Sequence, residues 1–424
     1  MQPKLNELTA AEAARRIESR DTTSEALVAA CLERIREREE AVRAWAFIDR
    51  EQALAQARAL DRLPRQSRLH GVPFGIKDIF DTADMPSEYN SPIWRGHRPK
   101  ADAACVAMLR GAGCLILGKT VTTEFAQNNP AQTRNPLNAE HTPGGSSSGS
   151  AAAVADHMVP LALGTQTGGS VIRPAAYCGT FAIKPSFGSI NRAGTKFVAE
   201  SLDTIGIFAR GVEDLELAME ILSARAAASA PNGKPRIGLC RTPLWDVADS
   251  HVQNNLEAAA KRLEQAGARV RDFELPPGSK QIFDNYRVVG NYESARALGW
   301  EYANFPSQLS KNLTPRLQEG WKITRAEYDA TREVIRTVGR TLAETLREVD
   351  FLLTPSAPSE APASLATTGD PVFNRAWTML GLPCVTIPHG KGAKGLPLAV
   401  QMVGAFDSDS ALLAWAHWTT KALA

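Results

Sequence analysis

Apolar residues recur along this chain in two alternating periods. At Val252, Leu256, Ala259, Leu263 and Ala266 they fall three or four apart, which predicts a helix with one buried stripe. Gly267 ends that helix, while RIGLC before it and RVRDFEL after it read as strands, so the stretch predicts a β-α-β unit. Residues 8–62 read as helices. Within DTTSEALVAACLERI, Thr22 and Glu25 fit a capping box ahead of apolar spacing at Leu27, Cys31 and Ile35. A strand and loop follow at HGVPFGIKDIFDT (70–82), then a helix over 102–110, a glycine turn and a strand over 114–117. RAAASAPNGKP (225–235) reads as a surface connection, and residues 280–349 as mostly helical. Strands return at VDFLLTPSAP (349–358), LPCVTIP (382–388) and LPLAVQMVG (396–404), and the chain ends on a helix. This alternation predicts an α/β fold: a single large, mixed and twisted β-sheet covered by helices on both faces.

Composition narrows the function classes. A length of 424 residues alone allows two or three domains. A net charge of +2 points to neither nucleic acid nor an anionic membrane as partner. Six cysteines (Cys31, Cys105, Cys114, Cys178, Cys240, Cys384) are scattered without a CxxC pair or a histidine cluster, so neither a zinc site nor a disulfide framework is expected. No run approaches the ~18 to 20 apolar residues that span a bilayer. The opening MQPKLNELTAAEAARRIESRD has no apolar signal core, which makes a reducing cytoplasm the expected location.

One short motif misleads. Gly113-Cys-Leu-Ile-Leu-Gly118-Lys119-Thr120 fits GxxxxGK[ST], the phosphate-binding loop. That loop needs a strand before its first glycine and a turn between the glycines. Here a helix comes before Gly113, and CLIL is itself a buried strand, so Lys119 belongs to a strand end and nucleotide binding is not expected.

Two glycine-serine sites carry more chemistry: Gly144-Gly145-Ser146-Ser147-Ser148-Gly149-Ser150 and Gly168-Gly169-Ser170. Paired glycines let a backbone aim N–H groups at one point, as an oxyanion hole requires. Ser170 is therefore a candidate nucleophile. Of the histidines, only His141 lies near a serine loop, and no acid is placed to orient it. A lysine made neutral by burial can serve as base instead. Lys77, inside VPFGIKDIF, is the one lysine flanked by apolar, strand-like residues and followed by a turn. Against this stands helix capping: Ser146 to Ser150 could cap the alanine-rich helix that starts near Ala151, and Lys77 could be an ordinary residue at a strand end.

Taken together, GIKD (75–78), TPGGSSSGSAAAVA (142–155), GTQTGGSVIRPAAYCGTFAIKPS (164–186) and SLDTIG (201–206) resemble the amidase signature family. The resemblance extends to TPSAP (354–358) and GLPLAVQMVG (395–404), and so covers most of the chain. It implies one domain over 1–424, with N-terminal helices over 1–69, a signature core over 70–224 and a largely helical substrate-side segment over about 280–349. It also implies a Ser-cisSer-Lys triad. Ser170 is the acylated nucleophile, Ser146 relays its proton after a cis Gly145–Ser146 bond, and Lys77 is the terminal base. The oxyanion donors implied are the N–H groups of Thr167, Gly168, Gly169 and Ser170, with Ser148 and Gln166 supporting them. No metal or organic cofactor is implied, and a homodimer is.

The chain departs from the common family pattern GTDTGGSIR at two points. Gln166 replaces the aspartate, and Arg173 lies three residues after Ser170 rather than two. In this the chain resembles malonamidase most, where that arginine holds a substrate carboxylate. A guanidinium beside the nucleophile suits a short anionic acyl group held bidentately. The expected reaction is hydrolysis of a small carboxylate-bearing amide, malonamate-like, to acid plus ammonia. Two rival reactions are hydrolysis of carboxylated ureas such as biuret derivatives, and the glutamine-hydrolysing role within a tRNA-dependent amidotransferase. Asn374, Arg375 and Trp377 are the candidates for the far wall of the pocket.

Overall fold

Neighbouring residues of the central strands point into different apolar cores. Leu161 and Leu163 join one cluster with Phe74, Ile76, Ile183 and Ile207, whereas Ala162, Ala182 and Phe208 join a second. The first cluster is closed by the helices Ala104–Gly111, Val212–Ser223, Ser250–Gln265 and Asp409–Leu423. The second is closed by Ser24–Val42, Arg50–Leu60 and Ser148–Ala155. A strand buried on both faces loses the apolar-polar alternation, so LALGTQ reads as a continuous run.

The computed structural model describes residues 3–229 and 231–424. Eleven strands among them form one mixed sheet: β1 (Trp45–Phe47), β2 (Pro73–Lys77), β3 (Leu115–Thr120), β4 (Leu161–Gln166), β5 (Phe181–Lys184), β6 (Thr204–Ala209), β7 (Arg236–Leu239), β8 (Arg269–Asp272), β9 (Phe351–Pro355), β10 (Cys384–Lys391) and β11 (Pro397–Val403). Their order is β1-β3-β2-β4-β6-β5-β10-β11-β9-β7-β8. Pairing is parallel between β2 and both β3 and β4, and between β7 and both β8 and β9; the other pairs are antiparallel. The α/β sheet expected from the pattern is thus present, including the β7–helix–β8 unit. Val252, Leu256, Ala259 and Leu263 are buried in its helix, and Ala266 is that helix's partly exposed C-terminal cap.

Local readings shift in places. The expected helical run over 8–62 contains β1, a three-residue edge strand too short to show a period. Helix Ser24–Val42 is capped by Thr23, whose side chain accepts from the Ala26 N–H, not by a Thr22–Glu25 box. The strand expected over 114–117 runs on to Thr120, so Lys119 lies within it. There Lys119 is fully buried, 3.1 Å from the Asp78 carboxylate, and donates to the Phe80 carbonyl and the Ser87 hydroxyl. Those bonds occupy the ammonium structurally. Ser148 and Ser150 do not cap. Both lie inside helix Ser148–Ala155, and their hydroxyls donate to the carbonyls of Val121 and Leu163 in the neighbouring chain segments. No helix among the described residues is long and apolar enough to cross a membrane.

Candidate active site

Parallel pairing of β2 with β4 sets Phe74 beside Leu161 and Ile76 beside Leu163, which brings the C-terminal end of β2 against Thr165. Lys77 ends β2 there, fully buried, and its Nζ donates to Ser146 Oγ at 2.8 Å and to Thr165 Oγ1 at 2.7 Å. Burial drives its pKa down from 10.5 to about 7, against a smaller opposing pull from the Asp203 carboxylate. Asp203 is itself buried, and burial pushes its carboxyl above the ordinary range; it accepts from Thr167 Oγ1 and from the Val198 and Ala199 N–H groups.

Ser146 follows a cis peptide bond from Gly145. Gly144 before it adopts φ +83°, and a Cβ there would stand 2.7 Å from Pro174 Cα, so no side chain fits. Ser147 locks the loop to β4: its hydroxyl accepts from the Thr165 N–H and donates to the Thr165 carbonyl, both at 3.2 Å. The structure brings Ser146 to Lys77 but forms no hydrogen bond from Ser146 to Ser170.

Ser170 sits at the end of the loop after β4, on a cavity of about 670 Å³. The N–H groups of Gly168, Gly169 and Ser170 donate to no protein group among the described residues, although the loop is buried. Backbone donors left unpaired in a buried loop are rare and mark a place for an acceptor. Gln166 fixes the loop from behind. Its Oε1 accepts from the Val171 and Ile172 N–H groups, and its Nε2 donates to Thr378 Oγ1, which in turn donates to the Gly168 carbonyl at 3.0 Å. A carboxylate could accept those two N–H bonds but could not donate to Thr378, which is the physical content of glutamine at this position. Gly168 and Gly169 have no positive φ; their need is space. A Cβ on Gly168 would stand 2.9 Å from the Tyr286 hydroxyl, and one on Gly169 would stand 2.4 Å from Asn374 Oδ1.

Arg173, in helix Ile172–Cys178, lines the same cavity. Burial lowers its guanidinium to about 10, still fully protonated at neutral pH. Its Nη2 donates to the Gly145 carbonyl and, at 3.2 Å, to Thr368 Oγ1, while its buried Nε has no partner. Of the expected far-wall residues, Arg375 lines the cavity, 3.0 Å from Asp370. Asn374 instead packs behind Gly169, and Trp377 is fully buried in an apolar cluster against Phe283, because the helix Arg375–Met379 turns that face inward. His141 Nδ1 donates to the Ala361 carbonyl at 2.6 Å and bonds to neither serine. Gln127, Tyr286, Asn291, Arg316 and Thr368 also line the cavity and carry no sequence motif. Among the described residues no cluster of His, Cys, Asp and Glu could hold a metal ion.

Three comparisons bear on this arrangement. The Amidase family model matches residues 26–413. The chain is 32% identical over 465 residues to a glutamyl-tRNA(Gln) amidotransferase subunit of Roseiflexus castenholzii, spanning 96% of this chain and 94% of that protein. It superposes with a TM-score of 0.90 on a crystal structure of an amidase, 28% identical, covering 98% of this chain and 100% of that one. At 26% identity and a TM-score of 0.89 it also matches a structure from a vestigial protein complex tied to the evolutionary origins of an s-triazine catabolic enzyme, covering 98% of each chain. A match over most of its length, on a sheet of the same shape, makes this chain a member of the amidase signature family and an amide-cleaving enzyme.

Proposed function

We propose that the chain hydrolyses a small primary amide bearing a nearby carboxylate, malonamate-like, by a Ser170–Ser146–Lys77 acyl-enzyme mechanism. The observation that carries this reading is a buried lysine with a pKa of about 7, hydrogen-bonded to Ser146, whose neighbour Gly145 accepts from Arg173 on the cavity that Ser170 also lines. At neutral pH such an amine spends much of its time unprotonated and accepts the Ser146 proton along the same 2.8 Å contact. Ser146 takes the Ser170 proton as Ser170 Oγ bonds to the amide carbon, a link that tightens in the reacting complex. The oxyanion forms facing the N–H groups of Thr167, Gly168, Gly169 and Ser170. Collapse breaks the C–N bond, the relayed proton returns to nitrogen, and ammonia leaves. Water then repeats the path and frees the acid and Ser170.

Arg173 is the substrate anchor in this scheme. It sits one helical turn from the nucleophile, and its buried Nε has no protein acceptor. In the Arg173→Ala variant, kcat/KM for malonamate should fall at least about tenfold more than for a neutral amide such as propionamide, the worth of a charge-assisted pair. An equal fall on both would remove the anchoring role.

A second reading has specific support. Identity of 32% along nearly the whole length of an amidotransferase component favours a glutamine-hydrolysing role exercised together with partners. Glutaminase activity appearing only with added partner proteins, with malonamate inert, would establish it. Carboxylated ureas belong in the same substrate panel, since they too offer an anion to Arg173.

A further inference from the structure

Glycine on both sides of the Gly168–Gly169 peptide leaves its plane open to turning, so something must fix which way it faces. Across a trans peptide the carbonyl oxygen and the following N–H point in opposite directions. Whatever holds the Gly168 carbonyl therefore aims the Gly169 N–H away from itself. That holder is Thr378, fully buried in helix Arg375–Met379, whose hydroxyl donates to the Gly168 carbonyl at 3.0 Å. The hydroxyl has one proton and a second carbonyl in reach, that of Asn374 at 3.2 Å. Asn374 already receives the Thr378 N–H, whereas the Gly168 carbonyl has no other donor among the described residues. Gln166 Nε2 donates to the same hydroxyl at 3.0 Å and so fixes the direction left for its proton.

The same helix carries a competitor. Asn374 stands one turn before Thr378 and so shares its face. Its Nδ2 donates to the Ser356 carbonyl at 3.0 Å and to Gln401 Oε1 at 3.4 Å, while its buried Oδ1 has no donor. That oxygen lies 2.4 Å from where a Cβ on Gly169 would be. A Gly169 N–H turned toward the helix would meet an unfilled acceptor there; turned away from the helix, it meets only what the cavity holds. A buried donor and a buried acceptor on neighbouring groups ordinarily combine. The bond from Thr378 to the Gly168 carbonyl keeps these two apart and reserves the N–H for an oxyanion.

We infer that Thr378 is the positioning residue of the oxyanion hole: by holding the Gly168 carbonyl it keeps the Gly169 N–H facing the substrate and out of reach of Asn374. This role rests on the reading of Ser170 as nucleophile and of its loop as the oxyanion hole, and is independent of the carboxylate anchor at Arg173. Gln166 belongs to the same device, since it sets the Thr378 hydroxyl. The bond-breaking steps are unchanged.

Two matched pairs test it: wild type against Thr378→Val, and Thr378→Ser against Thr378→Ala, each pair differing chiefly by the hydroxyl. With malonamate and propionamide as substrates, the variant lacking the hydroxyl should lose about 10²-fold in kcat, the worth of one oxyanion donor, with KM changed by less than about threefold. Thr378→Ser should keep most of the wild-type rate, and the Ser–Ala pair carries the comparison if Thr378→Val does not fold. Adding Asn374→Ala to Thr378→Val removes the competing acceptor and should raise kcat by at least about threefold over Thr378→Val alone, whereas two packing defects would compound. Ethylboronic acid gives a measurement without turnover: Ser170 Oγ bonds to boron, its proton passes through Ser146 to Lys77, and no bond to boron breaks. Its affinity should fall about 10²-fold in Thr378→Val. A loss confined to KM, an unchanged boronate affinity, or a double variant slower than Thr378→Val would overturn the role of Thr378. Hydrolysis of propionamide but not malonamate would end the malonamate reading and leave this comparison standing, while boronate binding that survives Ser170→Ala would remove the nucleophile on which both rest.

Discussion

Replacing Lys77 by methionine separates a neutral buried amine from a buried ion. The side chain is fully enclosed, and its pKa falls from 10.5 to about 7 because burial penalises the ammonium. At about 1.36 kcal/mol per pH unit, that interval corresponds to ~5 kcal/mol of cost in the native state at or below neutral pH, an upper limit once local relaxation admits water. The native state releases its proton near 7, while the unfolded chain holds it to about 10.5. Between those values the unfolded state binds more protons, so wild-type stability rises with pH. Lys77→Met has no such slope. It leaves the hydroxyls of Ser146 and Thr165 without their partner, at ~1–3 kcal/mol each, and removes the desolvation cost. Urea unfolding of both proteins at pH 7 and pH 9.5 reads the difference. The variant's stability relative to wild type should drop by about 3 kcal/mol on going to pH 9.5, because giving up the lysine proton on folding becomes steadily easier for the wild-type chain. Amide hydrolysis by the variant should fall by about 10²- to 10⁴-fold at every pH. A stability difference that stays constant across this range would mean that Lys77 remains an ammonium held by Asp203, and the neutral-base reasoning would be refuted.

The same contacts set further expectations. In the wild-type enzyme kcat/KM should rise with pH through about 7 as Lys77 loses its proton, and a profile flat from pH 5.5 to 8.5 would contradict the assignment. Gly169→Ala would put a Cβ 2.4 Å from Asn374 Oδ1 and 2.6 Å from Pro371 Cβ, so the loop must shift; kcat should drop by about 10²-fold with the fold retained by circular dichroism. Gln166→Glu keeps the acceptors for Val171 and Ile172 but loses the donor to Thr378. It should lower kcat more than it raises KM, and a change in KM alone would place Gln166 in ground-state binding.

Much of the site is legible because it is local. Ser146 and Ser170 stand behind paired glycines, and the structure gives those glycines the close packing or positive φ that excludes side chains. Arg173 follows Ser170 by one helical turn. Lys77 is less distinctive than its apolar surroundings suggest, since Lys119, within β3, and Lys184, at the end of β5, are also fully buried. What separates them is the set of partners: Lys119 meets the Asp78 carboxylate as well as a serine, Lys184 donates to the Pro185 carbonyl, and Lys77 meets only the hydroxyls of Ser146 and Thr165. Which strands lie side by side decides that, and β2–β4 adjacency is not written in either segment. Ser148 and Ser150 look like caps in isolation, yet packing of their helix against β2, β3 and β4 turns the hydroxyls to the Val121 carbonyl just past β3 and the Leu163 carbonyl of β4. Arg316 and Asn291 are invisible for a related reason. Each is one polar residue on a helix, with no motif around it, until Gly320 brings the two helices together. Asp203 lies inside a recognisable motif, but its bond to Thr167 depends on a turn after residue 198 that no periodicity announces.

The central claim is that Ser170, activated through Ser146 by neutral Lys77, carries the acyl group. Rapid acid quench during malonamate turnover, followed by peptide mass mapping, tests it most directly. A malonyl adduct confined to the peptide bearing Ser170, lost in Ser170→Ala and strongly reduced in Lys77→Met, is the predicted result. Ammonia release with no adduct on any peptide, or with the adduct on Ser146 or Ser148, would contradict it.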